Sequence, residues 1–107
     1  MRRQQITLAH ELGCEIVKVF PGGLVGGPAF VKAVRGPCPW ALLMPTGGVD
    51  GTPESIRAWI EAGAACIGMG SKLIPKNHIA AADYGAIQQN VRRVLDLIQD
   101  ARGDQED

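Results

Sequence analysis

Glu15-Ile16-Val17-Lys18-Val19-Phe20-Pro21 is a short apolar run with one lysine at its centre. β-Branched and aromatic side chains suit a pleated strand, and Gly13 before the run and Pro21-Gly22-Gly23 after it punctuate both ends. A lysine in such a strand needs a reason, because a buried ammonium is costly without a partner. One reading is a nucleophile: a lysine taken out of water gives up its proton more readily and can attack a carbonyl to form a Schiff base. The other is a lysine near a strand end, its stem on apolar surface and its head in water.

Outward from this run, helix and strand alternate. Gln4–Leu12 has apolar Ile6, Leu8, Ala9 and Leu12 near helical spacing, and Gly13 is placed to end that helix. Pro28–Val34 reads as a short helix and Trp40–Met44 as a second strand. Thr52 should cap a third helix, with Pro53 at its first position, running to Ala62 and stopping at Gly63. Ala65–Met69 reads as a third strand. A short turn or helix near Lys72–Ile74 is broken by Pro75, Ala80–Ala101 reads as a mostly helical stretch with an apolar stripe, and residues 103–107 should form a frayed polar tail. Glu11-Leu12-Gly13-Cys14 returns fifty residues later as Glu61-Ala62-Gly63-Ala64, a weak internal repeat. No two strands are separated by a hairpin-length turn, so the expected fold is α/β with parallel strands and helical crossovers. Alternation along a strand puts Ile16, Lys18 and Phe20 on one face and Val17 and Val19 on the other. In the same register the third strand offers Cys66, Gly68 and Gly70, a set small enough to leave open space beside Lys18.

Composition narrows the classes. The 107 residues allow one small domain, read here as spanning the whole chain, and 46% of them are apolar. Acidic and basic residues balance at 11 each, which argues neither for nucleic acid nor for a membrane surface. No apolar run approaches the ~20 residues of a membrane span, and no secretory leader is evident. Three cysteines without metal-type spacing suggest reduced, packed thiols and a cytoplasmic setting. No metal and no cofactor is expected.

Two glycine-rich loops follow strands. Gly47-Gly48 lies after the second and Gly70-Ser71 after the third. Glycines there expose backbone N–H groups, and a helix opening after the loop directs its positive end at an anion. A single Gly-Gly pair is more often only a tight turn. Two such loops on consecutive units make phosphate binding the better reading. His10 and His78 read as surface histidines, Asp50 and Glu54 as carboxylates at a helix start, Lys72 as a solvated head rather than the phosphate contact its position would also allow, and Trp40 and Trp59 as packing residues.

Ile16-Val17-Lys18-Val19-Phe20-Pro21-Gly22, Gly27 through Pro37, Met44-Pro45-Thr46-Gly47-Gly48-Val49 and Cys66 through Ile74 together resemble the 2-dehydro-3-deoxy-6-phosphogluconate (KDPG) and 4-hydroxy-2-oxoglutarate (KHG) aldolases. The resemblance runs from about Thr7 nearly to the end, in order and spacing. It implies a (β/α)₈ barrel, usually trimeric, with Lys18 as the Schiff-base lysine. Phe20, Pro21 and Thr46 would contact the substrate, and Gly47, Gly48, Gly70 and Ser71 would bind its phosphate. The small-molecule partners would be a keto acid phosphate and pyruvate. A full barrel needs roughly 200 residues. The chain therefore reads as the C-terminal three βα units, without the earlier strands that hold the family's acid–base glutamate and carboxylate-binding arginine. Two alternatives stay open: a non-catalytic piece that packs with a complementing N-terminal half, and another phosphate-binding barrel such as a thiamine phosphate synthase-like enzyme.

Overall fold

A computed structural model describes residues 2–106. The order is α1 (Arg3–Glu11), β1 (Val17–Val19), α2 (Gly27–Arg35), β2 (Leu43–Pro45), α3 (Pro53–Glu61), α4 (Lys76–Ala80) and α5 (Tyr84–Glu106). β1 and β2 pair in parallel, with Val17 opposite Leu43, Lys18 opposite Met44 and Val19 opposite Pro45. Parallel neighbours need a crossover, and α2 supplies it.

Alternation along β1 follows the expected pattern. Val17 and Val19 are buried beneath the helices, while Ile16, Lys18 and Phe20 are exposed on the opposite face. β2 repeats it: Ala41, Leu43 and Pro45 are buried and Leu42 is exposed. The core lies on the helix side, where Val31 and Val34 of α2 meet Ile56, Trp59 and Ile60 of α3, joined by Ile6 of α1 and Val94 of α5. The other face of the sheet is open. Lys18 is thus not the desolvated lysine that an apolar strand suggested; nothing among the described residues covers it.

The two copies of the repeat end their helices in the same way. The Gly13 N–H donates to His10 O at 3.0 Å and the Cys14 N–H to Ala9 O at 3.0 Å. Fifty residues on, the Gly63 N–H donates to Ile60 O at 3.0 Å and the Ala64 N–H to Trp59 O at 3.1 Å. Both glycines have left-handed backbones, with φ of 99° and 105°, so each end is a Schellman motif that only glycine enters without strain. Arg35 ties the second of these ends down, its Nη1 donating to Gly63 O at 2.8 Å and its Nη2 to Pro39 O at 3.0 Å. Thr52 caps α3 as its position suggests, its Oγ1 accepting from the Ser55 N–H at 3.2 Å.

Four expectations need correction. The third strand, Ala65–Met69, is reduced to one parallel bridge between Thr46 and Gly68. Its N–H donors to β2 are Ala65, to Leu43 O, and Gly68, to Pro45 O. Donors three apart face acceptors two apart, so an extra residue breaks the ladder. The long C-terminal helix is divided: α4 ends at Ala80, Ala82 takes a positive φ of 51°, and Asp83 opens α5 by accepting from the Ala86 N–H at 3.2 Å. The frayed tail is instead the last turns of α5, which continues to Glu106; Asp107 lies outside the described residues. Of the three thiols only Cys38 is buried, and Cys14 is exposed.

Candidate functional site

The loops after β1, β2 and the Thr46–Gly68 bridge gather at the carboxyl ends of the strands. Gly22 N–H donates to Thr46 O at 2.7 Å and Gly23 N–H to Gly47 O at 3.0 Å. This crossing leaves no room for side chains. A Cβ on Gly48 would lie 2.8 Å from Gly23 Cα, and one on Gly22 would lie 3.0 Å from Gly47 O and 3.3 Å from Trp59 Cη2. Gly22 and Gly23 thus pass close to the neighbouring loop. Gly47 and Gly48 turn that loop with consecutive left-handed backbones, φ 84° and 78°.

Beside the crossing is an open pocket of about 310 Å³. Phe20, Thr46, Gly47, Gly48, Gly70 and Ser71 all line it, so six of the eight residues singled out from the sequence share one cavity. Lys18 and Pro21 do not line it. Lys18 stands at its edge, with Nζ 5.4 Å from the centre of the Phe20 ring, a cation–π distance. Phe20 is 61% exposed and forms the wall between the lysine and the pocket. The backbone N–H groups of Gly47, Gly48, Gly70 and Ser71 find no acceptor among the described residues. A concavity edged by unpaired backbone donors is suited to an anion. The helix expected to aim at that anion after Gly70-Ser71 is one turn only, with the Leu73 and Ile74 N–H groups both donating to Gly70 O.

Gly68 explains why Thr46 sits where it does. A Cβ on Gly68 would lie 2.3 Å from Thr46 Oγ1, 3.1 Å from its Cγ2 and 3.2 Å from its Cβ. The threonine takes up part of the space expected beside Gly68, and both Gly68 and Gly70 still line the open pocket. Thr46 Oγ1 is itself buried without a hydrogen-bond partner among the described residues. Gly68→Ala is expected to destabilise the chain by about 1–3 kcal/mol, the usual cost of overpacking. Rotating Thr46 moves Oγ1 away but leaves its Cβ 3.2 Å from the new methyl. Urea denaturation measures the loss, and adding Thr46→Ala should recover part of it. Equal stability of the single variant and the parent would contradict this packing.

Two residues of the site were given other roles by the sequence. Lys72 lines the pocket and is bonded to the Asp50 carboxylate. Asp50 is therefore more than a helix-start carboxylate; its N–H is fixed by Ser55 Oγ at 3.0 Å and its side chain holds the lysine. Lys72 follows Ser71 directly, which was the one available signal. His10, read as solvated, stacks on Trp40 with ring centres 4.3 Å apart, beyond the other end of the strands.

Comparison with known proteins gives one family. The family model described as KDPG and KHG aldolase matches residues 2–90. A 2-dehydro-3-deoxy-phosphogluconate aldolase of Haemophilus influenzae is 33% identical over 94 residues, covering 88% of this chain and 43% of that protein. A 2-dehydro-3-deoxy-6-phosphogalactonate aldolase of Escherichia coli is 39% identical over 66 residues, covering 61% of this chain and 31% of its own length. A solved structure described as native KDPGal superposes with a TM-score of 0.80 at 26% identity, over 95% of this chain and 47% of the other. The chain thus spans less than half the length of the relatives it matches.

Proposed function

The chain belongs to the KDPG and KHG aldolase family, and we propose that it contributes the imine-forming lysine and the phosphate loops of a class I aldolase acting on 2-dehydro-3-deoxy-6-phosphogluconate. The observation that carries this reading is the pocket beside Lys18, edged by four unpaired backbone N–H groups. The Lys18 amine attacks the C2 ketone, and loss of water gives an iminium. A base takes the proton of the C4 hydroxyl, the C3–C4 bond breaks, and its electron pair flows into the iminium to form an enamine. Glyceraldehyde 3-phosphate leaves as the aldehyde. Protonation at C3 and hydrolysis then release pyruvate and restore the amine. Gly47, Gly48, Gly70 and Ser71 hold the phosphate, which positions the far end of the substrate. Thr46 and Phe20 flank the pyruvate portion, and Pro21 backs Phe20.

The base belongs to further parallel strands of a (β/α)₈ barrel outside these residues, and those strands cover the open face carrying Ile16, Lys18, Phe20 and Leu42. A complementing N-terminal half or an oligomer supplies that cover. The exposure of Lys18 favours a second reading, in which these residues alone only pack with such a half and do not turn over. Incubation with pyruvate and borohydride separates the two. A single reduced adduct on the peptide containing Lys18 is expected, in the chain or in its complex with the complementing half. No adduct in either, or equal labelling of all four lysines, would overturn the aldolase reading.

A further inference from the structure

We propose that Asp50 masks the one charged side chain of the pocket, Lys72, and so sets how strongly an anionic ligand must compete to bind there. The proposal rests on the phosphate reading of this pocket and deepens it. Among the described residues that line the cavity, Lys72 alone is charged. Its ammonium is bonded to the Asp50 carboxylate, and both side chains are about half exposed, 56% and 50%. Asp50 cannot easily withdraw, because its backbone is anchored by Ser55 Oγ at the start of α3 and Thr52 caps the same helix.

The consequence is electrostatic. With the pair closed, the pocket offers an anion only uncharged donors, the backbone N–H groups of its loops and a hydroxyl such as that of Ser71, and the nearby carboxylate repels it. A phosphate carrying two charges draws the ammonium away from Asp50 more strongly than a singly charged carboxylate does. An unmasked lysine would accept both. The pair therefore weakens binding overall, and most for the more highly charged ligand, which would gain most from a free ammonium and is repelled more by the carboxylate.

Titration of the labelled chain of 107 residues with inorganic phosphate, and separately with acetate, tests this through the backbone amide resonances of Gly47, Gly48, Gly70 and Ser71. Asp50→Asn should lower the phosphate Kd about threefold to fivefold, with a smaller gain for acetate. Asp50→Glu should restore the parental Kd. Lys72→Met should raise the phosphate Kd, and Asp50→Asn should gain less in that background. High salt should shrink the gain, which a purely structural effect would not. An unchanged or higher phosphate Kd in Asp50→Asn, with the loop amides still responding, overturns the masking and leaves the phosphate reading standing. No response of those amides in the parent or in Asp50→Asn overturns both.

Discussion

Lys18→Ala is expected to abolish the pyruvate adduct that borohydride traps, with a loss of at least about 100-fold in labelling of that peptide. The chain has four lysines, and the structure separates them. Lys32 on α2 and Lys76 at the start of α4 are exposed on helices; Lys32 borders a separate open cavity with Pro28, Ala58 and Glu61, away from the glycine loops. Lys72 lines the pocket but is bonded to Asp50. Only Lys18 has a free amine one aromatic ring away from the pocket. Pyruvate held beside Thr46 and Phe20 is thereby presented to it at high effective concentration, and that advantage disappears with the amine. Lys32→Ala and Lys76→Ala should leave the yield unchanged. Peptide mapping after reduction reads the result. Because Lys18 is open to water, covering the sheet with the complementing strands should accelerate its labelling by enclosing the keto acid beside the amine. An adduct that persists in Lys18→Ala at the parental level would return the residue to the role of a solvated strand lysine.

Trp59→Ala should cost about 3–5 kcal/mol of stability, as expected for removing a buried tryptophan from a core. Trp59 is only 2% exposed. It packs with Ile56 and Ile60 in the main cluster and reaches beneath Gly22, where an added Cβ would come within 3.3 Å of Cη2. A domain of this size holds only about 5–15 kcal/mol in all, so the variant should be close to unfolded at room temperature. Chemical denaturation followed by circular dichroism is the measurement, since Trp40 would confuse a fluorescence signal. Trp59→Phe should retain most of the stability. In partly folded samples the Gly22 and Gly23 amides should lose their protection from hydrogen exchange first, because the ring supports the loop crossing from below. A loss below about 1 kcal/mol would place Trp59 outside the cooperative core.

What could be read in advance depended on how local its cause was. Alternation fixed the faces of β1, because Val17 and Val19 differ from Lys18 within three residues. Gly13 and Gly63 announced both helix ends, because a left-handed backbone is a local demand. The glycines of the pocket were recognisable as a group, though their reasons were not. Gly48 is required by Gly23, Gly68 by Thr46 and Gly22 by Gly47; each is a contact between segments distant in sequence. The third strand failed for a similar reason, since Ala65–Met69 has a strand's composition and loses its ladder only through its register with Leu43 and Pro45. Ala80, Ala81 and Ala82 are good helix formers, so nothing nearby marked the break before α5 except Asp83. The pairing of Asp50 with Lys72 spans 22 residues and could not be read from either one.

The matching helix ends at Gly13 and Gly63 make the stretch between them an interchangeable cassette. Its two junctions present the same hydrogen bonds and the same backbone hand, so a gene crossover placed there joins helix to strand without spoiling either cap. One cassette holds two strands and the two helices that cover them. Tandem duplication at these seams would lengthen a parallel sheet by a whole layer of structure, and exchange with a homologous protein would transplant the lysine strand and the first glycine loop as a block. Recombination at Gly13 and Gly63 should therefore yield folded chimaeras more often than recombination a few residues to either side.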